Sequence, residues 1–202
     1  MKVFTEKRAE EFLEGCGFKV VDRVYLREKE DIKKVLKKID FPWVMKVCGR
    51  KIIHKNRLRG VKKNIKNHKQ ALRTFEKLKK IKNSEGVIIQ KQVKGREFLL
   101  GIKNTPEFEH VIGLGAGGIY AEKIKDISFR VCPIEDLDIN QMIKEIKATK
   151  RLSKKGINLL KENLKKLCIL VKKYPKIKEL DINPLMVFDK DAVIVDVRII
   201  WD

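Results

Sequence analysis

The chain has 202 residues, 43% of them hydrophobic, which is enough to bury a core and argues against disorder. Its 48 Lys and Arg against 27 Asp and Glu leave a formal net charge of +21, a surface that draws phosphates of any kind, whether in a nucleotide, a nucleic acid or a coenzyme, although the same Lys-rich composition suits the solvated surface of a heat-adapted protein. No apolar run reaches bilayer length and the amino terminus, MKVFTEKRAEEFLEGCGF, reads as an amphipathic helix, so a cytoplasmic protein is expected.

In chain order, residues 5 to 15 predict a helix and Phe18 to Val21 a short strand after Gly17. Glu28 to Lys38 predicts a second helix, and Pro42 introduces an apolar strand, Trp43 to Cys48. Gly49 to Lys69 is dense in Lys and Arg and reads as an extended basic loop and strand, followed by a helix over Lys69 to Lys80. Strands follow at Val87 to Gln90 and Glu97 to Lys103, and a glycine cluster, GLGAGGIY, spans Gly113 to Tyr120. Helices are expected from Ile134 to about Thr149 and from Gly156 to Lys173, with Pro175 before a final hairpin. Strands and helices without regular alternation favour an α+β fold. Cys16, Cys48, Cys132 and Cys168 have no paired spacing, so buried free thiols are expected in preference to disulfides or a zinc site.

Within this frame, the hairpin Glu179 to Arg198, ELDINPLMVFDKDAVIVDVR, places acids among apolar residues of a basic chain. If Asp189 and Lys190 form its turn, Asn183 falls opposite Asp196 and Asp181 opposite Arg198, all on one face. Such a set suits magnesium, which takes hard oxygen ligands, often one or two carboxylates completed by substrate phosphates. An Asp181–Arg198 ion pair, with Asn183 capping the Pro184 bend, is the alternative. Lys46, on an apolar strand between Val44 and Val47, is either enclosed beside an anion such as a phosphate or reaches solvent from the strand end. His54 can be a phosphoryl acceptor, a phosphate ligand or a surface histidine. The glycine cluster has the loose spacing of a dinucleotide fingerprint but no helix after it, so a Rossmann reading is rejected. Gly117 and Gly118 are expected to allow a tight turn near a ligand or another strand, with Glu122 and Arg130 as candidate polar site residues.

Together ELDINPLMV and IVDVRI, GIYAEKIKDISFRVCPI at 118 to 134, IIHK at 52 to 55 and GVIIQKQVKGREFLLGIK at 86 to 103 resemble the ATP-grasp beta subunit of the ADP-forming acyl-CoA (acetyl-CoA) synthetases, which is related to the beta subunit of succinyl-CoA synthetase. The resemblance covers nearly the whole chain. It implies one ATP-grasp domain over 1–202, an α+β fold of two lobes clasping MgATP, with lobe one at about 23–90 and lobe two at about 1–22 plus 91–202. It also implies conversion of acyl-CoA, ADP and phosphate to free acid, ATP and CoA through an acyl phosphate and a phosphohistidine. On this resemblance Lys46 holds ATP phosphates, while His54, Lys55 and Gly60 line the phosphate loop. Gln90, Lys91 and Val93 belong to the adenine hinge, and Glu97 meets the ribose. Asn183 and Asp196, with Asp181 beside them, match magnesium ligands. Lys46, His54 and Arg130 are the catalytic candidates, and Glu122 joins the nucleotide site. The CoA-binding Rossmann domain and the main phosphohistidine are not in this sequence, which implies a separate CoA-binding alpha subunit in a heterotetramer.

Four positions depart from the family pattern. Its glycine pair reads Arg59-Gly60, its Gln-Glu hinge reads Gln90-Lys91, its Phe-Gly-Pro reads Phe108-Glu109-His110, and the stretch from Thr149 to Gly156 is shortened. Arg59 and Lys91 motivate a second expectation, a non-catalytic ATP-grasp subunit with a regulatory or assembly role. A third, nucleic-acid binding through Arg50 to Lys69, ranks last because that stretch has no aromatic residue on which to stack bases.

Overall fold

A computed structural model describes residues 1–52, 55, 57–118, 126–188 and 190–202 of the chain. The chain divides into two units, one formed by Met1–Val20 with Lys94–Asp202 and the other by Val21–Val93. In chain order the elements are β1 (Lys2–Val3), α1 (Glu6–Gly15), β2 (Arg23–Leu26), α2 (Ile32–Val35), β3 (Trp43–Cys48), β4 (Val61–Ile65), α3 (His68–Lys79), β5 (Gly86–Lys91), β6 (Arg96–Thr105), β7 (Glu109–Ala116), β8 (Ile127–Val131), α4 (Asp136–Glu145), α5 (Lys154–Lys173), β9 (Ile177–Phe188), β10 (Asp191–Ile194) and β11 (Val197–Trp201). Antiparallel sheets with helices on their apolar faces make the fold α+β.

In the larger unit a seven-stranded sheet runs β1-β11-β9-β6-β7-β8, with β10 pairing off β9. Period-two alternation sends Phe98, Leu100 and Ile102 of β6, Ile112 and Leu114 of β7, and Leu180 and Ile182 of β9 into one core with α1, α4 and α5. The 20-residue α5 meets that core through Leu160, Leu164, Leu167, Leu170 and Val171, a helical stripe. Each such side chain contributes about 1.5–3 kcal/mol by leaving water. Ser153 starts α5 by accepting the Gly156 backbone N–H on Oγ at 3.2 Å, and Thr5 caps α1 through the Arg8 N–H at 3.3 Å.

The smaller unit is a four-stranded sheet in the order β2-β5-β3-β4. Trp43, Met45 and Val47 of β3 and Val87 and Ile89 of β5 pack with Ile32, Val35, Ala71, Phe75 and Leu78 from α2 and α3. Asn67 caps α3 by accepting the Gln70 N–H at 2.9 Å.

Several elements differ from expectation. Phe18 to Val21 is not a strand. It is a buried tether that makes one parallel bridge, Val20 with Ile194, and accepts the Ile194 N–H on Lys19 O at 2.8 Å, because β10 ends there and offers no further partner. The second helix shrinks to a 3-10 turn, Lys29–Asp31, and α2, since Lys38 and Ile39 both return their N–H groups to Val35 O at 2.9 Å and close the helix. The helix expected to reach Thr149 stops at Glu145. The Thr149 hydroxyl donates to Ile143 O at 2.7 Å and Ile146 O at 2.6 Å, and Asp126 takes the Lys147 and Ala148 N–H groups, drawing the chain into the 3-10 turn Lys147–Arg151. Gly113 and Gly115 lie inside β7 rather than between strands, and a side chain at Gly113 would meet the Phe129 ring of β8 at 3.0 Å. All four cysteines are free, but only Cys48 is buried, the other three being half-buried.

Two of the family departures sit on left-handed backbone, Arg59 at φ +50° and Glu109 at φ +53°. Glycine adopts this region freely, whereas an L side chain costs about 1–2 kcal/mol there. Arg59→Gly is therefore expected to be more stable than Arg59→Ala by about 1 kcal/mol in urea unfolding, with Gly60→Ala the most damaging of the three because its Cβ would lie 2.5 Å from Val47 Cγ1.

Candidate functional site: an acidic sheet face and a buried lysine strand

In the larger unit the sheet face turned away from the helices holds the acidic residues. The pairing of β9 with β11 and β10 follows the expected register: Asp181 lies across from Arg198, and Asp191 across from Phe188. At the gap between β10 and β11, the Asn183 N–H donates to Asp196 O at 3.1 Å and the Val195 N–H donates to Pro184 O at 3.1 Å. Asp181 and Asp196 are half-buried and Asn183 is exposed. On this face Gly101 lies across from Asp181 on β6 and Gly113 across from Gly101 on β7.

The alternative ion pair did not form as drawn. Arg198 hydrogen-bonds Glu179, its diagonal neighbour on β9, and Glu179 also takes Lys103 Nζ at 2.7 Å. Burial pushes the Asp181 carboxyl above the usual carboxylate range, opposed by the nearby Arg198 charge and reinforced by Glu179 and Asp196. Two carboxylates and an amide oxygen with surplus negative charge form a donor set that fits a hard divalent cation completed by other oxygens. Among the described residues no group of three His, Cys, Asp or Glu converges as a self-sufficient metal cage.

Glu97, on β6, is locked to the glycine cluster. Its carbonyl accepts the Gly117 N–H at 2.7 Å, and a Cβ at Gly118, whose φ is +77°, would strike Glu97 Oε2 at 2.2 Å. The expected tight approach to another strand is thus to β6. Arg130 stands apart. On β8 it pairs across from Ile112, so it shares the helix side of the sheet and not the face of Asp181. Its guanidinium donates to Glu145 at 2.6 Å, to Phe129 O at 2.8 Å and to Ser128 Oγ at 3.3 Å, with Asp138 at 4.0 Å. Through these contacts Arg130 fastens α4 to β8.

In the smaller unit Lys46 is 3% exposed, so of the two readings left open by the sequence the enclosed one holds. It sits on the face of β3 opposite the Trp43, Met45 and Val47 core, with Val44 beside it and Gln90 across from Val44 on β5. Gln90 is fully buried, whereas Lys91 is exposed and Val93 half-buried. The loop between β3 and β4 is closed by backbone bonds: Gly60 N–H to Lys55 O at 2.8 Å and Val47 N–H to Gly60 O at 2.8 Å. Gly60 is buried against Val47, which admits no Cβ, while the Arg59 side chain is exposed. His54 and Glu122 lie outside the described residues.

One feature of the hinge had no sequence signal. Gln92 Oε1 accepts the Asn64 N–H at 2.7 Å, its Nε2 donates to Asn64 Oδ1 at 2.8 Å, and its own N–H reaches Pro42 O at 3.0 Å. The chain leaving β5 is thereby pinned to β4, where Asn64 takes φ +60°, a conformation asparagine tolerates.

The family model of the ATP-grasp domain matches residues 1–200. The beta subunit of acetate–CoA ligase [ADP-forming] I from Pyrococcus furiosus is 37% identical over 96% of this chain and 90% of its own length. The chain belongs to the ATP-grasp family, with the beta subunits of ADP-forming acetate–CoA ligases. Acetate–CoA ligase [ADP-forming] II of Archaeoglobus fulgidus is 35% identical over 96% of this chain, which spans only 30% of that longer protein. Among solved structures, the dinucleotide-forming acetyl-coenzyme A synthetase 1 of Ca. Korarchaeum cryptofilum matches with a TM-score of 0.91 at 27% identity, covering 100% of this chain and 94% of the other, in a complex with coenzyme A and Ca-AMPCP. The same enzyme with coenzyme A and Mg-AMPPCP, its phosphohistidine segment pointing towards the nucleotide site, matches with a TM-score of 0.84 at 28% identity over 100% and 93% of the two chains. Relatives of this ATP-grasp domain thus occur both as a separate subunit and within a larger chain.

The Arg130–Glu145 contact has a pH signature. Arg130 and Ser128 hold the Glu145 carboxyl below its ordinary value, so this contact stabilises the fold above the unfolded carboxylate pKa and is lost as pH falls through the lower folded value. Glu145→Gln is expected to lower the melting temperature at pH 7 and to match the parent at pH near 2, as followed by circular dichroism; an equal deficit at both pH values counts against the pairing.

Proposed function

We propose that the chain is the nucleotide-binding beta subunit of an ADP-forming acyl-CoA synthetase, taking acyl-CoA, ADP and phosphate to carboxylic acid, ATP and CoA through a phosphohistidine. The observation that carries this reading is the clustering of Asp181, Asn183 and Asp196 on one face of a sheet in a chain of net charge +21. Burial raises the Asp181 carboxyl first, and the Glu179 and Asp196 charges add to it, effects that a bound hard cation would offset. Magnesium bound there would neutralise charge on transferring phosphates.

The chain's own groups then have positioning roles, which is most of what phosphoryl transfer needs. Lys46 meets nucleotide phosphates from β3, and its enclosure strengthens that attraction by excluding water. Backbone around Lys55 and Gly60 approaches phosphate oxygens, in a loop that packs on Val47 where Gly60 leaves no room for a Cβ. Gln90, Lys91 and Val93 line the base, held by the Gln92–Asn64 clamp, and Glu97 takes a ribose hydroxyl. His54 relays phosphate, and Glu122 completes the nucleotide site. A CoA-binding alpha subunit supplies the acyl-phosphate chemistry in a heterotetramer.

A non-catalytic subunit is the weaker reading. Arg59 keeps the left-handed backbone that glycine would adopt and leaves its side chain exposed, and Lys91 is exposed as well, so neither departure fills the place of a ligand. A nucleic-acid role for Arg50 to Lys69 is weaker still, since Arg50 is engaged with Glu85, whose carboxylate takes the Arg50 backbone N–H at 2.9 Å.

ADP or ATP at about 100 times its Kd is expected to stabilise the protein by about 2.7 kcal/mol, visible as a magnesium-dependent rise in a melting scan. Asp196→Ala is expected to keep the fold and lose the magnesium dependence, and Lys46→Ala to lose the nucleotide response. The absence of any shift with millimolar nucleotide and magnesium refutes nucleotide binding; turnover without an alpha subunit refutes the division of labour.

A further inference from the structure

The larger unit contains an open cavity of about 490 Å3 lined by Asn104, His110, Cys132, Cys168 and Lys172, among others. None of these residues has a part in the nucleotide chemistry above, and the inference does not depend on it. Cys132 follows β8 directly and Cys168 lies on α5, so two elements distant in sequence bring their thiols to one solvent-open space. Both are reduced and half-buried. Free thiols without function are usually buried and inert, whereas reactive ones are partly exposed in an electropositive setting.

The surroundings treat the two sulfurs differently. The neighbouring Cys132, the Ile134 backbone N–H and the Lys172 ammonium, one turn along α5, favour a thiolate at Cys168, whose S–H when protonated donates to Leu164 O at 3.3 Å. These effects hold the Cys168 thiol below its ordinary value against the opposing effect of burial. Cys132 is driven the other way, first by the neighbouring Cys168 and then by burial, with Lys172 opposing. Among the other cavity groups, His110 Nε2 is engaged with Ile177 O at 3.0 Å and Asn104 at 3.3 Å, and Glu109 lies at the lining, so Lys172 is the cation nearest the pair in effect. One ready nucleophile beside one protonated thiol is the arrangement by which dithiols exchange with disulfides.

We propose that Cys168 and Cys132 form a redox-active dithiol in this cavity, oxidised by small disulfides to an intramolecular disulfide that fastens α5 to the β8–α4 connection. The Cys168 thiolate attacks one sulfur of a small disulfide RSSR, forming a mixed disulfide and releasing RS⁻. Cys132, giving its proton to solvent, then attacks the Cys168 sulfur and releases the second RS⁻. Two protein thiols lose two electrons and two protons, and RSSR becomes two RSH.

The test uses the folded full-length protein and 2-hydroxyethyl disulfide, read by intact mass and peptide mapping. The expected product has lost two hydrogen atoms and yields one linked peptide pair, Cys132 with Cys168, reversed by dithiothreitol. Cys132→Ser is expected to stop at a stable hydroxyethyl adduct on Cys168, and Cys168→Ser to react at Cys132 at least about tenfold more slowly. Half-buried Cys16 serves as the internal reference. Linkage to Cys16, two stable adducts without linkage, or modification of Cys132 before Cys168 overturns the proposal. The mapping of the unaltered protein decides it even if a variant fails to fold.

Discussion

The 12-residue strand β9 carries the constraint on which the larger unit depends. It pairs with β6 along one edge and with both β10 and β11 along the other. Its core positions are Ile177, Leu180 and Ile182, then Leu185 and Val187, with Met186 buried as well, so the period-two alternation is broken twice, between Ile177 and Leu180 and again at Asn183–Pro184. The pairing with β6 is irregular at the matching point, between Phe98 and Leu100, and the strand across from it is interrupted between β10 and β11. This irregularity lets the core face stay apolar on both sides of the break while Asp181 and Asn183 remain on the other face. The candidate cation site sits where the ladder is interrupted, and Asp196 lies in that interruption.

Much of this hairpin was legible because a strand's register follows from counting. Once the turn was placed near Asp189 and Lys190, the pairing of Asp181 with Arg198 followed, and the structure has it. What counting could not decide was which carboxylate Arg198 would bind. A guanidinium on a long stem reaches the diagonal neighbour as readily as the direct one, and Glu179 already holds Lys103, so it gathers both cations. Asp181 consequently has no direct ion pair among the described residues and feels Arg198 only through space, a result that no spacing rule contains.

The surroundings of Arg130 were illegible for a related reason. An arginine near a glycine cluster reads as a candidate polar site residue in sequence, but strand parity decides which side of the sheet it serves, and parity is known only when the register with β7 is known. Its partner position, Ile112, belongs to the core face. The basic stretch after β3 hid the opposite kind of information. Its boundaries could not be drawn from periodicity, since Lys62 and Lys63 lie in β4 with only Val61 and Ile65 to mark the strand. The Gln92–Asn64 clamp joins residues on separate elements through side-chain amides, and sequence alone gives no pairing signal for such a contact.

The departures at Arg59 and Glu109 bear on how a binding loop tolerates change. A loop that offers backbone N–H groups to an anion depends on its φ and ψ values and on the absence of side chains at the points of approach. The first requirement can be met by any residue willing to bear about 1–2 kcal/mol of left-handed strain, the second only by glycine. Arg59 meets the first and directs its side chain to solvent, while Gly60, buried against Val47, retains the second. The two positions of the former glycine pair therefore had unequal freedom. Position 59 is the one whose geometry survives a side chain, and position 60 the one whose Cβ would collide with β3.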